Sequence, residues 1–139
     1  MTLNESLFKE MLAKAAQVRL NAYAPYSNFL VGACLLTESG NMYVGANFEN
    51  AAFGAGTCAE RCAIASAVAA GDRRIKAIAI VANYAAWPCG ICRQALREFC
   101  VSVDMPIVIA GYQDADYKIK TLNELLPESF GPDALDDII

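Results

Sequence analysis

At 139 residues the chain has the length of one ordinary domain, and a composition of 56% apolar to 19% charged residues excludes a disordered polymer. A formal charge of −4, with no cluster of Lys and Arg beyond Arg73-Arg74, argues against a protein that grips a nucleic-acid backbone. The longest uncharged run, residues 20–37, is interrupted by Asn21, Pro25, Ser27 and Asn28, which argues against a membrane span.

The N-terminal MTLNESLFKE has no basic segment leading into an apolar one, so no export signal is expected. Thr2 and Glu5 match a capping box, and Leu3, Leu7, Met11, Ala15 and Val18 repeat at helical spacing; together they predict a helix from about 3 to 22. Pro25 stops it. A β-hairpin is predicted next, with strands over 29–37 and 42–49 around the polar turn ESGN. The loop 50–57 leads to a helix over 58–70, ended by Gly71-Asp72. A strand over 77–83 follows, then a helix opened by Pro88, strands over 105–111 and 117–121, and a helical turn at LNELL. This order predicts an α/β fold, one mixed sheet with helices on its faces. Residues 1–139 are read as a single domain. So apolar a composition on so small a domain predicts burial against other subunits, and hence an oligomer.

The chain has six cysteines and no histidine. Without an export signal the cysteines are expected to be reduced, in a cytoplasmic setting, and available to a metal or to catalysis. Cys89 and Cys92 lie three apart at a helix start, where free N–H groups favour thiolate. Such a pair is a metal site or a redox pair; Cys58, at a second predicted helix start, favours the metal. Three thiolates leave a fourth position of tetrahedral zinc open, as in catalytic sites, where the bound water becomes a nucleophile near neutral pH. Glu60 is the candidate general acid and base, on condition that Cys58 lies at the cap, because residues two apart do not share a helix face. Arg61 is the candidate to offset the residual charge of about −1 left by three thiolates around a dication. A competing arrangement places Cys62, four residues from Cys58, as a fourth thiolate in a closed structural site, but leaves Glu60 and Arg61 without a purpose.

Cys58-Ala59-Glu60 and Pro88-Cys89-Gly90-Ile91-Cys92 match the all-cysteine form of the zinc nucleobase-deaminase signature. With YAPYSNFLVGA (23–33), NFENAAF (47–53), CAER and PCGICRQ, the chain resembles the small homotetrameric cytidine deaminases from its first helix to LLPESF. The resemblance implies a three-layer α/β/α sandwich with a mixed sheet of about five strands. It implies one zinc per chain on Cys58, Cys89 and Cys92, with Glu60 as proton shuttle and Arg61 beside the thiolates. It also implies that Phe29 packs on the pyrimidine, that Asn47 and Glu49 bind the ribose, and that Phe130 reaches a neighbouring subunit's site in a homotetramer. The activity implied is hydrolysis of cytidine and 2′-deoxycytidine to uridine and 2′-deoxyuridine with release of ammonia, as in pyrimidine salvage. Read singly, Phe29 is a core residue, Asn47 and Glu49 a solvated strand end, and Phe130 an anchor for the C-terminus.

Cys62 and Cys34 stand where a small residue such as Thr or Ala is usual in the family, and Gly54-Ala55-Gly56 is a smaller loop than expected. Two other functions compete: a deaminase of a cytosine-containing nucleoside antibiotic, and a non-catalytic binding protein stabilised by zinc. Editing of bases in single-stranded nucleic acid is disfavoured by the absence of a basic channel.

Overall fold

The computed structural model describes residues 2–136. Helix α1 (Glu5–Arg19) is followed by strands β1 (Gly32–Thr37) and β2 (Met42–Ala46), then α2 (Ala59–Ala69), β3 (Ile75–Ala82) and α3 (Gly90–Phe99). Strands β4 (Pro106–Gly111) and β5 (Lys118–Thr121) and the short α4 (Leu122–Leu125) complete it, with 3-10 turns at Phe53–Ala55 and Pro132–Leu135.

The strands form one sheet in the order β2-β1-β3-β4-β5, antiparallel except for the parallel β3–β4 pair. That parallel pair is joined through α3. Both faces of the three central strands are covered, which explains why β1, β3 and β4 read as continuous apolar runs while the edge strand β5 alternates and is exposed. Ala33, Leu35, Ile78, Ile80, Ile107 and Ile109 face α2 and α3, packing with Ala63, Ala67 and Leu96. Their sequence neighbours Cys34, Leu36, Ala77, Ala79, Val81 and Val108 face Phe8, Met11 and Ala15 of α1. The result is the expected three-layer α/β/α sandwich with five strands.

The predicted elements shorten at their ends for identifiable reasons. The cap of α1 is Asn4, whose Oδ1 accepts the Leu7 N–H at 2.9 Å, so the helix begins after the predicted Thr2 box. The capping box that does form is Thr121 with Glu124, at α4. Strand β1 begins only at Gly32, because the Asn47 side chain takes the Phe29 carbonyl and the Val31 N–H that a longer strand would offer to β2. Cys89, rather than Pro88, is the residue that caps α3.

Two glycines bring helices against the sheet. A Cβ on Gly32 would lie 2.0 Å from the Ala15 carbonyl oxygen of α1. On Gly45 it would lie 2.3 Å from the Ala63 nitrogen and 2.6 Å from the Ala59 oxygen, both backbone atoms of α2. At the far end of α2, Gly71 takes φ +79 and the Asp72 carboxylate accepts hydrogen bonds from Thr37, Ser39, Asn41 and Tyr43 of the β1–β2 hairpin. Helix α2 is thereby fixed on β2 by contact at one end and by a carboxylate at the other. Gly45→Ala should therefore destabilise the fold by roughly 1–3 kcal/mol, as overpacking of a filled interface does, and lower metal occupancy by displacing α2. Urea unfolding together with metal analysis checks this; an unchanged midpoint would mean that α2 can slide off the sheet at no cost.

Candidate metal centre and its cavity

Cys58 and Cys89 occupy equivalent places as N-caps of α2 and α3. Both have extended backbones, ψ 153 and ψ 168, and neither side chain caps its own helix, so both sulfurs are free to face a common point. This satisfies the condition set for Glu60, since Cys58 stands outside the helix proper. Cys92 lies in the first turn of α3, with its sulfur 3.6 Å from that of Cys89. All three sulfurs lie within 4.8 Å of one another, and among the described residues this is the one group of three or more potential metal ligands. Cys62 is not part of it, which argues against the closed four-thiolate alternative. Cys34 and Cys100 are buried, as apolar cysteines are expected to be, whereas Cys62 is half-buried.

The donor set fits zinc. Two thiolates at about 2.3 Å from a tetrahedral ion stand about 3.8 Å apart, close to the observed Cys89–Cys92 separation. The protons tell the same story. Hydrogen bonding from Cys92, aided by Arg61, holds the Cys58 thiol down to about 5, while sharing with Cys58 and burial push Cys92 up. Arg61 Nη2 donates to Cys58 Sγ at 3.8 Å, which places the guanidinium where the charge of the thiolates needs it.

Glu60, in the first turn of α2, is 5% exposed, and burial raises its pKa. Its neighbours across a cavity of about 200 Å³ include Cys58, Cys89, Phe29, Asn47, Ala86 and Trp87. A metal-ligand set, a buried carboxylate and an aromatic ring therefore share one small chamber. A wider cavity of about 520 Å³ adjoins it, sharing Asn47 and Cys58 and adding Glu49, Tyr26, Ser27, Phe53 and Arg61.

Glu49 is already engaged in the fold. One oxygen accepts the Tyr26 and Ser27 N–H groups at 2.9 and 3.2 Å, and the other accepts the Ser27 hydroxyl at 2.5 Å. The Ser27 hydroxyl and the two amides hold its carboxyl below the usual range, against a smaller effect of burial. The segment carrying Asn47 and Glu49 is held beside Cys58 by backbone bonds: Phe48 exchanges two with Thr57, and Tyr23 brackets it from the other side. Phe130 is not brought to the chamber within the chain; it is 61% exposed, its carbonyl held by Gln94 of α3 at 2.9 Å. Arg93 secures the metal turn, donating to the Pro88 carbonyl at 2.6 Å and the Leu125 carbonyl at 2.7 Å. The tryptophan of the chamber wall carries a sequence signal only through its adjacency to Pro88.

The family model for the cytidine and deoxycytidylate deaminase zinc-binding region matches residues 5–108. The chain belongs to this family. A cytidine deaminase of Sporosarcina psychrophila is 41% identical over 129 residues, covering 91% of this chain and 93% of that protein. One of Halalkalibacterium halodurans is 42% identical over 132 residues, covering 93% and 98%. Among solved structures, cytidine deaminase from Burkholderia pseudomallei superposes with a TM-score of 0.82 at 38% identity, over 92% of this chain and 100% of that one. The Mycobacterium leprae cytidine deaminase does so at 0.78 and 32%, over 91% and 100%. The zinc-binding region that gives the family its description is, in this chain, the convergence of α2 and α3 at Cys58, Cys89 and Cys92. Cys58→Ser should accordingly lose zinc, whereas Cys62→Thr should retain one per chain by metal analysis of purified protein. Loss of zinc in the Cys62 variant would return that residue to the ligand set.

Proposed function

We propose that this chain hydrolyses cytidine and 2′-deoxycytidine to uridine and 2′-deoxyuridine with release of ammonia. The observation that carries the reading is the 5%-exposed Glu60 in one chamber with Cys58, Cys89, Phe29 and Asn47. Zinc held by Cys58, Cys89 and Cys92 supplies, when bound, a Lewis acid that brings the deprotonation of a water near neutral pH.

The chain's own residues do the rest. Glu60 accepts a proton from the water that adds to C4 and passes it to N3; it then takes the second water proton and gives it to the departing amine. The C4–N bond breaks, a C4–O bond is gained, and N3 keeps its proton, which is the uracil product. Shuttling by one carboxylate needs a site that excludes bulk water, and burial among Ile80, Ala82 and Trp87 provides it. Phe29 stacks on the pyrimidine. Asn47 and Glu49 take the ribose hydroxyls with the hydrogen-bonding capacity their backbone contacts leave over.

The charges in the cavities favour an unphosphorylated nucleoside. Glu49 is ionised, Arg61 is directed to the Cys58 sulfur, and no lysine lines either cavity. In the same reading residues 1–139 act as one cytoplasmic domain and assemble as a homotetramer. Exposed Phe130, Phe53, Tyr26 and Tyr23 supply the interface, and Phe130 enters a neighbour's site. No helix among the described residues is long and apolar enough to cross a membrane.

Cytidine absorbance followed with zinc-loaded protein should move to the uridine spectrum. Glu60→Gln should bind zinc as before and lower kcat by about 100- to 10,000-fold, the range for a positioned general acid and base. Undiminished turnover in that variant would remove Glu60 from the mechanism, and faster turnover of a cytosine-bearing antibiotic than of cytidine would reverse the choice of substrate. Sedimentation should give four times the chain mass.

A further inference from the structure

The loop that carries Phe29 has almost no ladder to hold it, yet nearly every backbone polar group in it has a partner. Most of those partners are side chains. Asn28 adopts φ +59, a left-handed conformation that asparagine enters more readily than other side-chain-bearing residues. The Phe29 N–H donates to Ser27 Oγ at 3.0 Å, and the Phe29 carbonyl accepts from Asn47 Nδ2 at 2.9 Å. On either side of Phe29 the partner is one residue, Asn83, immediately after β3. Its Nδ2 donates to the Asn28 carbonyl at 3.0 Å, and its Oδ1 accepts the Leu30 N–H at 3.3 Å.

Asn83 is itself aimed by Arg19, the last residue of α1. Arg19 is 7% exposed, and among the described residues it makes no ion pair. Its guanidinium lies 4.2 Å from the centre of the Tyr112 ring, Nη2 donates to Asn83 Oδ1 at 2.5 Å, and Nε donates to the Leu30 carbonyl at 2.9 Å. A buried charge is costly unless its hydrogen bonds are made, so these contacts fix the guanidinium. Tyr84, the residue after Asn83, sets its ring 5.3 Å from that of Phe29. Two consecutive residues at the end of β3 therefore grip the backbone and the ring of the same phenylalanine.

We infer that Arg19 and Asn83 form a positioning clamp that presets Phe29 for the substrate's base, making Asn83 a determinant of substrate affinity although it lines neither cavity. The inference rests on the reading of Phe29 as the ring that stacks on the pyrimidine. A loop already ordered before binding spares the complex the cost of ordering it, and a stacking contact present in ground and transition states alike shows in KM more than in kcat.

Asn83 is exposed, so its replacement removes no apolar packing, although it takes the Nη2 partner from buried Arg19. Asn83→Ala should raise KM for cytidine about tenfold, the scale of the two hydrogen bonds to the Phe29 loop among the three it loses, with kcat changed less than about threefold. Zinc content should be unchanged. In a Phe29→Ala background the same substitution should change KM by less than about twofold, because the clamp then has no ring to place. Equal effects in both backgrounds, or no effect in either, would overturn the inference. Hydrogen exchange read without substrate separates this from failure of the functional reading: Asn83→Ala should speed exchange at residues 28–31 and leave α2 and α3 protected. Unchanged protection there would refute the clamp even if cytidine proved not to be a substrate. Fast exchange with no cytidine turnover by the unsubstituted protein would uphold the clamp and reject the substrate.

Discussion

Three sulfurs within 4.8 Å, at the starts of two helices, form an arrangement positioned to hold a metal ion. Much of the chain serves to bring those two helix ends together. Helix α3 is the crossover between the parallel strands β3 and β4, so its first turn follows the loop leaving the carboxyl end of β3, where open α/β sheets place their ligands. Helix α2 is likewise a crossover, between β2 and β3, which run parallel on either side of β1, and its backbone is pressed on Gly45. Arg61 then meets the electrostatic consequence. A dication with three thiolates carries a formal charge of about −1, and one guanidinium within reach of Cys58 brings the cluster near neutrality. Its buried Nε has no hydrogen-bond partner, a cost of about 1–3 kcal/mol that the charge of the cluster offsets.

The parts of this site that were legible in the sequence are those whose chemistry is local. The Cys89–Cys92 spacing specifies one helical turn, and the sequence around Cys58 holds a glutamate and an arginine that a core helix would not carry without purpose. Gly71-Asp72 marked the end of α2 correctly because a positive φ and a C-terminal stop are properties of a few adjacent residues. Cap selection at α1 was decided otherwise. Both Thr2 and Asn4 are competent caps three residues from a plausible partner, and only the register of Phe8 and Met11 on the sheet chooses Asn4.

What could not be read were contacts between segments far apart in the chain. Asn83 is 55 residues from Asn28 and 64 from Arg19, and nothing in any of the three neighbourhoods names the others. The same holds for Glu49. Its alternation with Asn47 suggested a solvated strand end, yet beyond Ala46 the segment pairs only through isolated bridges of Phe48 with Tyr23 and Thr57, and its side chains hold the amides of neighbouring loops. Periodicity describes segments that pair with regular neighbours. It is silent where a side-chain amide substitutes for a strand, and binding loops are often built that way.

Glu49 and Glu60 lie eleven residues apart and line adjoining cavities, and their surroundings push them in opposite directions. Glu60 is buried in the small chamber, where loss of water disfavours its charge and its proton is easily held. Glu49 sits among a hydroxyl and two amides that favour the anion, and its proton is readily lost. A group that must take up and release protons during one turnover needs the first environment. A group that must stay an acceptor throughout, and keep its place in a loop, needs the second. The division between an enclosed chamber and an open cavity is thus a division of protonation behaviour as well as of shape, and under the proposed mechanism one short stretch of chain supplies two carboxylates with different duties.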